Sequence, residues 1–247
     1  MFKRNFKSDI ESEIFHAISN CCNETKIECY AIGGFVRDLI IGKNLAKDID
    51  ILVVGSGIEI AKLTAKRLKI GSKITVFKNF GTAMFKYNGY DVEFVGTRKE
   101  SYNKSSRNPI VKPGTLDDDL NRRDFTINTL GISLNKNSWG DLLDKFNGIT
   151  DLENKIIKTP LEPRQTFSDD PLRMLRAARF SSQLNFKIDI NSFNSLISEK
   201  ERIKIISPER ISEEINKIIM TSKPSVGFKI LESTGLLKII IPELTDL

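Results

Sequence analysis

Histidine is almost absent: the 247-residue chain has one, His16. A Ser-His-Asp triad needs a histidine beside a nucleophile and an acid, and a multi-histidine metal site needs several. His16 falls instead in a helical pattern with Ile10, Ile14 and Ile18. Cysteine is scarce too: Cys21, Cys22 and Cys29 are an odd number with no CxxC pair. That argues against a disulfide framework or a zinc knuckle and for a reducing, cytoplasmic setting. Long apolar runs are missing. "LLKIIIP" is far shorter than the roughly 20 residues a bilayer-spanning helix needs, so no membrane role is expected. The opening "MFKRNFKSDIESEI" is basic but has no apolar run to act as a secretory signal. Chemistry is left to carboxylates, basic side chains and a hard cation.

What is present describes an ordinary globular chain, with 40% hydrophobic and 28% charged residues. A net charge of +6 favours a polyanionic partner such as nucleic acid or nucleotide phosphates. Ser8 and Glu11 form a capping-box pattern before an amphipathic helix over about 9–22. "ECYAI" reads as a strand, "FVRDLII" as a short helix stopped by Gly42, and "DIDILVV" as a mostly buried strand. "IEIAKLTAKRLK" follows as a helix and "KITVF" as a strand. Asn88-Gly89 then marks a hairpin within "TAMFKYNGYDVEFV". Residues 96–114 are polar, basic and without periodicity, so a mobile, substrate-positioning loop is expected there. From Ser168 the pattern is helical, over 169–184, 190–200, 208–221 and 224–235. A mixed α/β half therefore gives way to an all-helical half near 145–150.

Several stretches carry chemistry. Gly33-Gly34, between a strand and a helix, reads either as a tight turn or as a phosphate cradle, with Arg37 one turn in. Asp48 and Asp50 follow on the next strand, two apart and so on one face, and buried carboxylates there need a partner such as a divalent cation. A phosphate cradle followed by a metal-holding carboxylate pair is what nucleotidyl transfer requires. Asp91 and Glu93 lie on one face of the hairpin strand, and Glu93 is favoured as the third carboxylate. "RRDFTINTL" puts adjacent arginines at a helix start, suited to phosphate or ribose contact or to a salt-bridge cluster with Asp117 to Asp119. In "SDDPLRMLRAARF", with Ser168 as N-cap, Asp169, Arg173 and Arg176 share a helical face and Asp170 flanks it. The plain reading is an acid-to-base i,i+4 pair worth about 0.2–0.5 kcal/mol. The specific reading is an acceptor beside a donor, which matches the pairing edges of cytosine and adenine and mismatches uracil and guanine.

"GGFVRD", "DIDILVVG", "RRDFTINTL", "DPLRMLRAARF" and "SPERISEEI", in this order, resemble the bacterial-type (class II) tRNA nucleotidyltransferase and poly(A) polymerase family, and most of all its CCA-adding enzymes. The resemblance spans about Ala31 to Leu247. It implies an α+β fold: a nucleotidyltransferase (polymerase-beta-like) mixed-sheet head over 1–148, a base-recognising helical neck over 149–207, and the start of an RNA-binding helical body over 208–247. It implies that Asp48 and Asp50 bind Mg²⁺, that Gly34, Arg37 and Arg123 contact the incoming nucleotide, that Asp170 and Arg173 read the base, and that Arg176 and Arg179 complete the pocket. The implied activity is template-independent addition of C and A from CTP and ATP to the 3′ end of tRNA. Poly(A) polymerase and partial CC- or A-adding activities share these motifs. A catalytically idle RNA-binding module is the reading from another class, and the intact Asp48/Asp50 pair argues against it. The sequence departs from the family in having Asp169-Asp170 where Glu-Asp is usual before the proline, and further helices are expected beyond "GLLKIIIPELTDL".

Overall fold

Apolar residues switch between a helical period and a strand period along the first half of the chain, and the elements follow that switch. A 3₁₀ turn at Lys7–Ile10 precedes α1 (Glu13–Thr25), β1 (Cys29–Ile32), α2 (Gly34–Ile40), β2 (Asp48–Val53) and α3 (Gly57–Arg67). Then come β3 (Thr75–Phe77), β4 (Thr82–Tyr87) and β5 (Tyr90–Gly96). The computed structural model describes residues 5–43, 47–71, 73–103 and 106–244, without the side chains at 79 and 102–108. The α-β-α-β-α-β-β-β order is the one the periodicity predicts. Asn88 (φ 47°) and Gly89 (φ 84°) are both left-handed, the backbone a two-residue hairpin of this twist demands.

The chain then forms β6 (Arg98–Asn103), β7 (Ser106–Pro113), α4 (Leu116–Asn121), β8 (Gly131–Ser133), β9 (Leu142–Leu143) and α5 (Gly148–Glu153). Seven strands make one mixed sheet in the order β3-β4-β5-β2-β1-β8-β9. β2 is central, parallel to β5 and antiparallel to β1. Ile49 and Ile51 are buried on one face with Val92 and Phe94, their register partners. Each such burial contributes about 1.5–3 kcal/mol. α3 packs on β2, β4 and β5 and against α1. Asp48, Asp50 and Leu52 take the opposite face, where Leu52 joins an apolar cluster with Ile32 and Leu120.

Two compact units emerge. One comprises the chain up to Glu100 with Val111–Asn121 and Ile127–Ile149; the other comprises Ser101–Ile110, Arg122–Thr126 and the chain from Thr150. The second unit contains β10 (Ile156–Ile157), α6 (Pro163–Asp169), α7 (Leu172–Leu184), β11 (Lys187–Ile188), α8 (Ile190–Glu199), α9 (Pro208–Ile219), α10 (Pro224–Ser233) and α11 (Leu236–Ile240). α7 packs against α9 and α10, and α6 against α8. No described helix is long and apolar enough to cross a membrane.

Several expectations fail for local reasons. The first helix begins at Glu13, with Ser12 at its N-cap, because Ser8 sits inside the 3₁₀ turn that the Phe6 N–H to Gly140 carbonyl bond holds in place. Glu11 contacts His16 instead of capping, and the exposed His16 ring stacks on Trp139 at 4.8 Å. Within the expected loop, Arg98–Asn103 and Ser106–Pro113 form a two-stranded ribbon, β6 with β7. It forms a sheet of its own apart from the main one, and its sequence carries no apolar alternation to betray it; positions 104 and 105 lie outside the described residues. β8 was missed because three residues show no period. The second unit is not purely helical, since β10 and β11 pair in parallel. The helix expected over 169–184 is two helices, because Asp170 precedes Pro171 and is driven out of the helical region to φ −133°, ψ 96°.

Close backbone approach fixes Gly96. A Cβ there would lie 2.5 Å from the Gly55 carbonyl oxygen. Gly96→Ala is therefore expected to lower stability by about 1–3 kcal/mol, read as a fall in the urea midpoint with an unchanged slope.

Candidate active site

The first unit gathers carboxylates at the start of its central strand. Asp48 is exposed and Asp50 half-buried on one face of β2. The parallel register sets Asp50 beside Glu93 and Asp48 beside Asp91. Lys86 engages Asp91 at 3.1 Å, which leaves Glu93 as the acid next to Asp50 that is not spoken for by a cross-strand lysine. Among the described residues no group of three or more His, Cys, Asp or Glu side chains is placed to hold a metal ion. Two hard oxygen donors with an open remainder still fit Mg²⁺, which keeps waters and takes substrate phosphate oxygens where the protein supplies one or two carboxylates.

One strand away, Gly33 has φ 81° and its N–H donates to the Leu130 carbonyl. Only glycine takes that conformation readily. Gly34 opens α2, and a Cβ there would meet nothing closer than Arg37 Nη2 at 3.7 Å, an ordinary contact. The protein's own packing therefore does not require glycine at 34. Arg37 is buried, with Nε on Asp38 Oδ1 and Nη1 on Asn128 Oδ1, both at 2.8 Å. Asn128 ties the "RRDFTINTL" segment to the "GGFVRD" turn.

In the second unit, Arg122 and Arg123 follow the C-terminal end of α4; the expected position at a helix start is corrected. The predicted salt-bridge cluster also dissolves in part, because Asp117 pairs with Lys145 and Asp118 accepts from Thr115. Asp124 is buried and accepts from Arg176 Nε at 2.8 Å and Nη2 at 2.6 Å. Burial works against the Arg176 charge, but Asp124 outweighs it, with Glu214 and Asp170 adding, so the guanidinium lies above its ordinary value.

The shared helical face drawn for Asp169, Arg173 and Arg176 does not exist, because Asp169 ends α6 and bonds Gln165. Asp170 occupies the junction, where its Oδ1 accepts from the Leu172 N–H at 3.2 Å; Ser168 is inside α6 and caps nothing. Arg173 is buried, and its Nη2 donates to the Arg122 carbonyl at 2.7 Å, which orients the guanidinium. Arg179 points to α9: Nε meets Glu214 at 2.6 Å, and its guanidinium lies 4.1 Å from the Phe180 ring centre. Burial pulls the Arg179 guanidinium down, Glu214 opposes this, and Arg176 adds to the fall.

Residues 29–158 match the family described as "Poly A polymerase head domain", and residues 185–247 match "Probable RNA and SrmB- binding site of polymerase A". The chain belongs to the tRNA nucleotidyltransferase and poly(A) polymerase family. It is similar to the A-adding tRNA nucleotidyltransferase of Aquifex aeolicus (strain VF5), 38% identical over 206 residues, covering 83% of this chain and 24% of that protein. It is also similar to the CCA-adding enzyme of Lactobacillus helveticus (strain DPC 4571), 36% identical over 211 residues, covering 85% of this chain and 50% of the relative. The chain thus spans a quarter to a half of the length of these relatives. Among solved structures, a tRNA nucleotidyltransferase complexed with a primer tRNA and an incoming ATP analog superposes with TM-score 0.76 at 32% identity, over 91% of this chain and 62% of that one. A CCA-adding enzyme in apo form II gives TM-score 0.84 at 28% identity, over 97% and 57%.

Sequence reasoning about this family passed over Asp38, Asn128, Asp124 and Glu214. Each lies inside a quoted motif and holds an arginine, and only Asp38 and Asp124 neighbour a residue that was singled out. Glu214→Ala is expected to cost about 3–5 kcal/mol in chemical denaturation, because it strands the Arg179 guanidinium in a buried site. The double change Arg179→Met/Glu214→Leu should recover most of it.

Proposed function

We propose that the chain is a nucleotidyltransferase that adds C and A to the 3′ end of tRNA from CTP and ATP in the cytoplasm. The observation that carries this reading is the Asp48, Asp50 and Glu93 arrangement on one sheet face, in a chain whose relatives are tRNA nucleotidyltransferases. Asp48 and Asp50 hold Mg²⁺, and Glu93 serves as the third carboxylate of the catalytic set. When bound, the ion clamps triphosphate oxygens and lowers the pKa of the attacking hydroxyl. The room beside Gly34 lets backbone approach the incoming triphosphate, and Arg37 and Arg123 supply charge to it. Asp170 accepts from the amino group of cytosine or adenine while Arg173 donates to the neighbouring ring nitrogen. Arg176 and Arg179 complete the pocket wall. Two relatives named as A-adding enzymes favour a second reading, in which the chain adds only the terminal A. tRNA shortened by one, two or three 3′ nucleotides, incubated with each labelled triphosphate, separates the two; poly(A) synthesis would show as a ladder, and no incorporation of any kind overturns the proposal.

Asp48→Ala or Asp50→Ala should leave a folded protein with incorporation reduced about 1000-fold or more in single-turnover assays. Gly34→Ala should keep the melting temperature, since the added methyl group has room, yet raise KM for the triphosphate. Asp170→Asn should lose CTP and ATP use with a partial gain of UTP, each charge-assisted bond being worth about 1.5–3 kcal/mol. Unaltered misincorporation ratios in that folded variant would remove the base-reading role.

A further inference from the structure

A cleft of about 570 Å³ lies in the first unit at the end of the sheet away from the carboxylates, where β5 finishes at Gly96 and the chain leaves β2 through Val54 and Gly55. Four residues of strand at about 3.3 Å each put Val54 about 13 Å from Asp50. Lys78, Lys112 and Arg98 line it, and Phe80 stands on its wall 57% exposed. These groups differ in role. Arg98 is committed: its Nε meets the Glu100 carboxylate, on a buried side chain, at 2.8 Å, and Arg98 Nη1 donates to the Phe80 carbonyl at 3.2 Å. That arrangement neutralises Arg98 and fixes the backbone that presents the Phe80 ring. Lys78 and Lys112 are exposed, and among the described residues neither is in an ion pair. The cleft therefore carries two uncompensated cations from separate segments, flanking an aromatic ring held outward by its own main chain.

A phenyl ring exposed in this way offers a face on which a base can stack. Cations that track a backbone together with an aromatic face that stacks a base is the arrangement used to bind unpaired nucleic acid. We propose that this cleft holds an unpaired stretch of an RNA substrate, with Lys78 and Lys112 on its phosphates and a base on Phe80. It would be an RNA contact separate from the polymerising site and from the segment matching the RNA-binding family at residues 185–247. The proposal rests on RNA being the substrate of the proposed reaction, and binding can be measured without turnover.

The test compares the wild-type protein with Lys78→Ala/Lys112→Ala and with Phe80→Ala, using tRNA lacking its 3′-terminal nucleotides and a short oligouridylate, across a range of salt. The double lysine variant should bind both RNAs about tenfold more weakly, and its salt slope should fall by about 1.4. Phe80→Ala should weaken binding about tenfold with the slope unchanged, since it removes stacking and no charge. For all three proteins kcat at saturating tRNA should match, with KM for tRNA raised in the variants. Unaltered affinity and slope in the folded double variant overturn the inference, as does absence of wild-type RNA binding. Loss of CTP affinity with tRNA affinity intact overturns it too, by making the cleft a nucleotide site. Absence of nucleotide incorporation by wild-type protein that does bind RNA through these residues overturns the proposed reaction and leaves the cleft assignment standing.

Discussion

The parallel pairing of β2 with β5 is the contact on which the first unit depends. It buries Ile49, Ile51, Val92 and Phe94 together on one face, and the two-residue period of a strand then leaves no choice about the other. Acid side chains must share that second face, at the end where the apolar cluster of Ile32, Leu52 and Leu120 stops. Like charges gathered there repel, so the hydrophobic face pays for what the acidic face costs. A slip of one residue would bury Asp50 and expose Ile51, so the core also sets the spacing of the acids.

Buried arginines organise the rest. Arg37, Arg173 and Arg179 are each oriented by side-chain or main-chain acceptors supplied from another segment. A guanidinium has five donors in a rigid plane, so part of it can be fixed by the protein while the remainder keeps a defined direction. Asp124 does this for Arg176 with one carboxylate oxygen, and the T-shaped Phe125–Phe180 contact at 5.8 Å keeps the backbone of both segments in place.

Much of this was legible in the sequence. The alternation in "DIDILVV", the Asn88-Gly89 turn and the amphipathic run of α3 each state their structure locally, and all three form. What could not be read depends on partners far away in the chain. The Glu11 side chain is taken by His16, which left the capping box unused. The ribbon over β6 and β7 carries no apolar alternation in its sequence, so no strand period marks it. Arg37 and Asn128 are 91 residues apart, and Arg179 and Glu214 are 35 apart; no spacing rule connects either pair. The misplaced helix over 169–184 is different in kind, since the restriction that proline imposes on the residue before it was present in the sequence and was outweighed by the helical pattern around it.

Pro171 has a geometric consequence. Within one helix, each residue turns the next side chain by about 100° around a common axis, so the angle between any two is set by counting. Asp170 stands outside that count, on an extended residue between α6 and α7. Its carboxylate is therefore aimed by its own backbone torsions together with the Leu172 N–H that it accepts from at the start of α7. Inserting or deleting a residue in α6 would leave its relation to Arg173 untouched, whereas a helix-forming residue in place of Pro171 would fuse the two helices and swing the carboxylate around the joined axis. The proline acts as a rotational stop that ties one side chain to the start of α7 and insulates it from the register of α6.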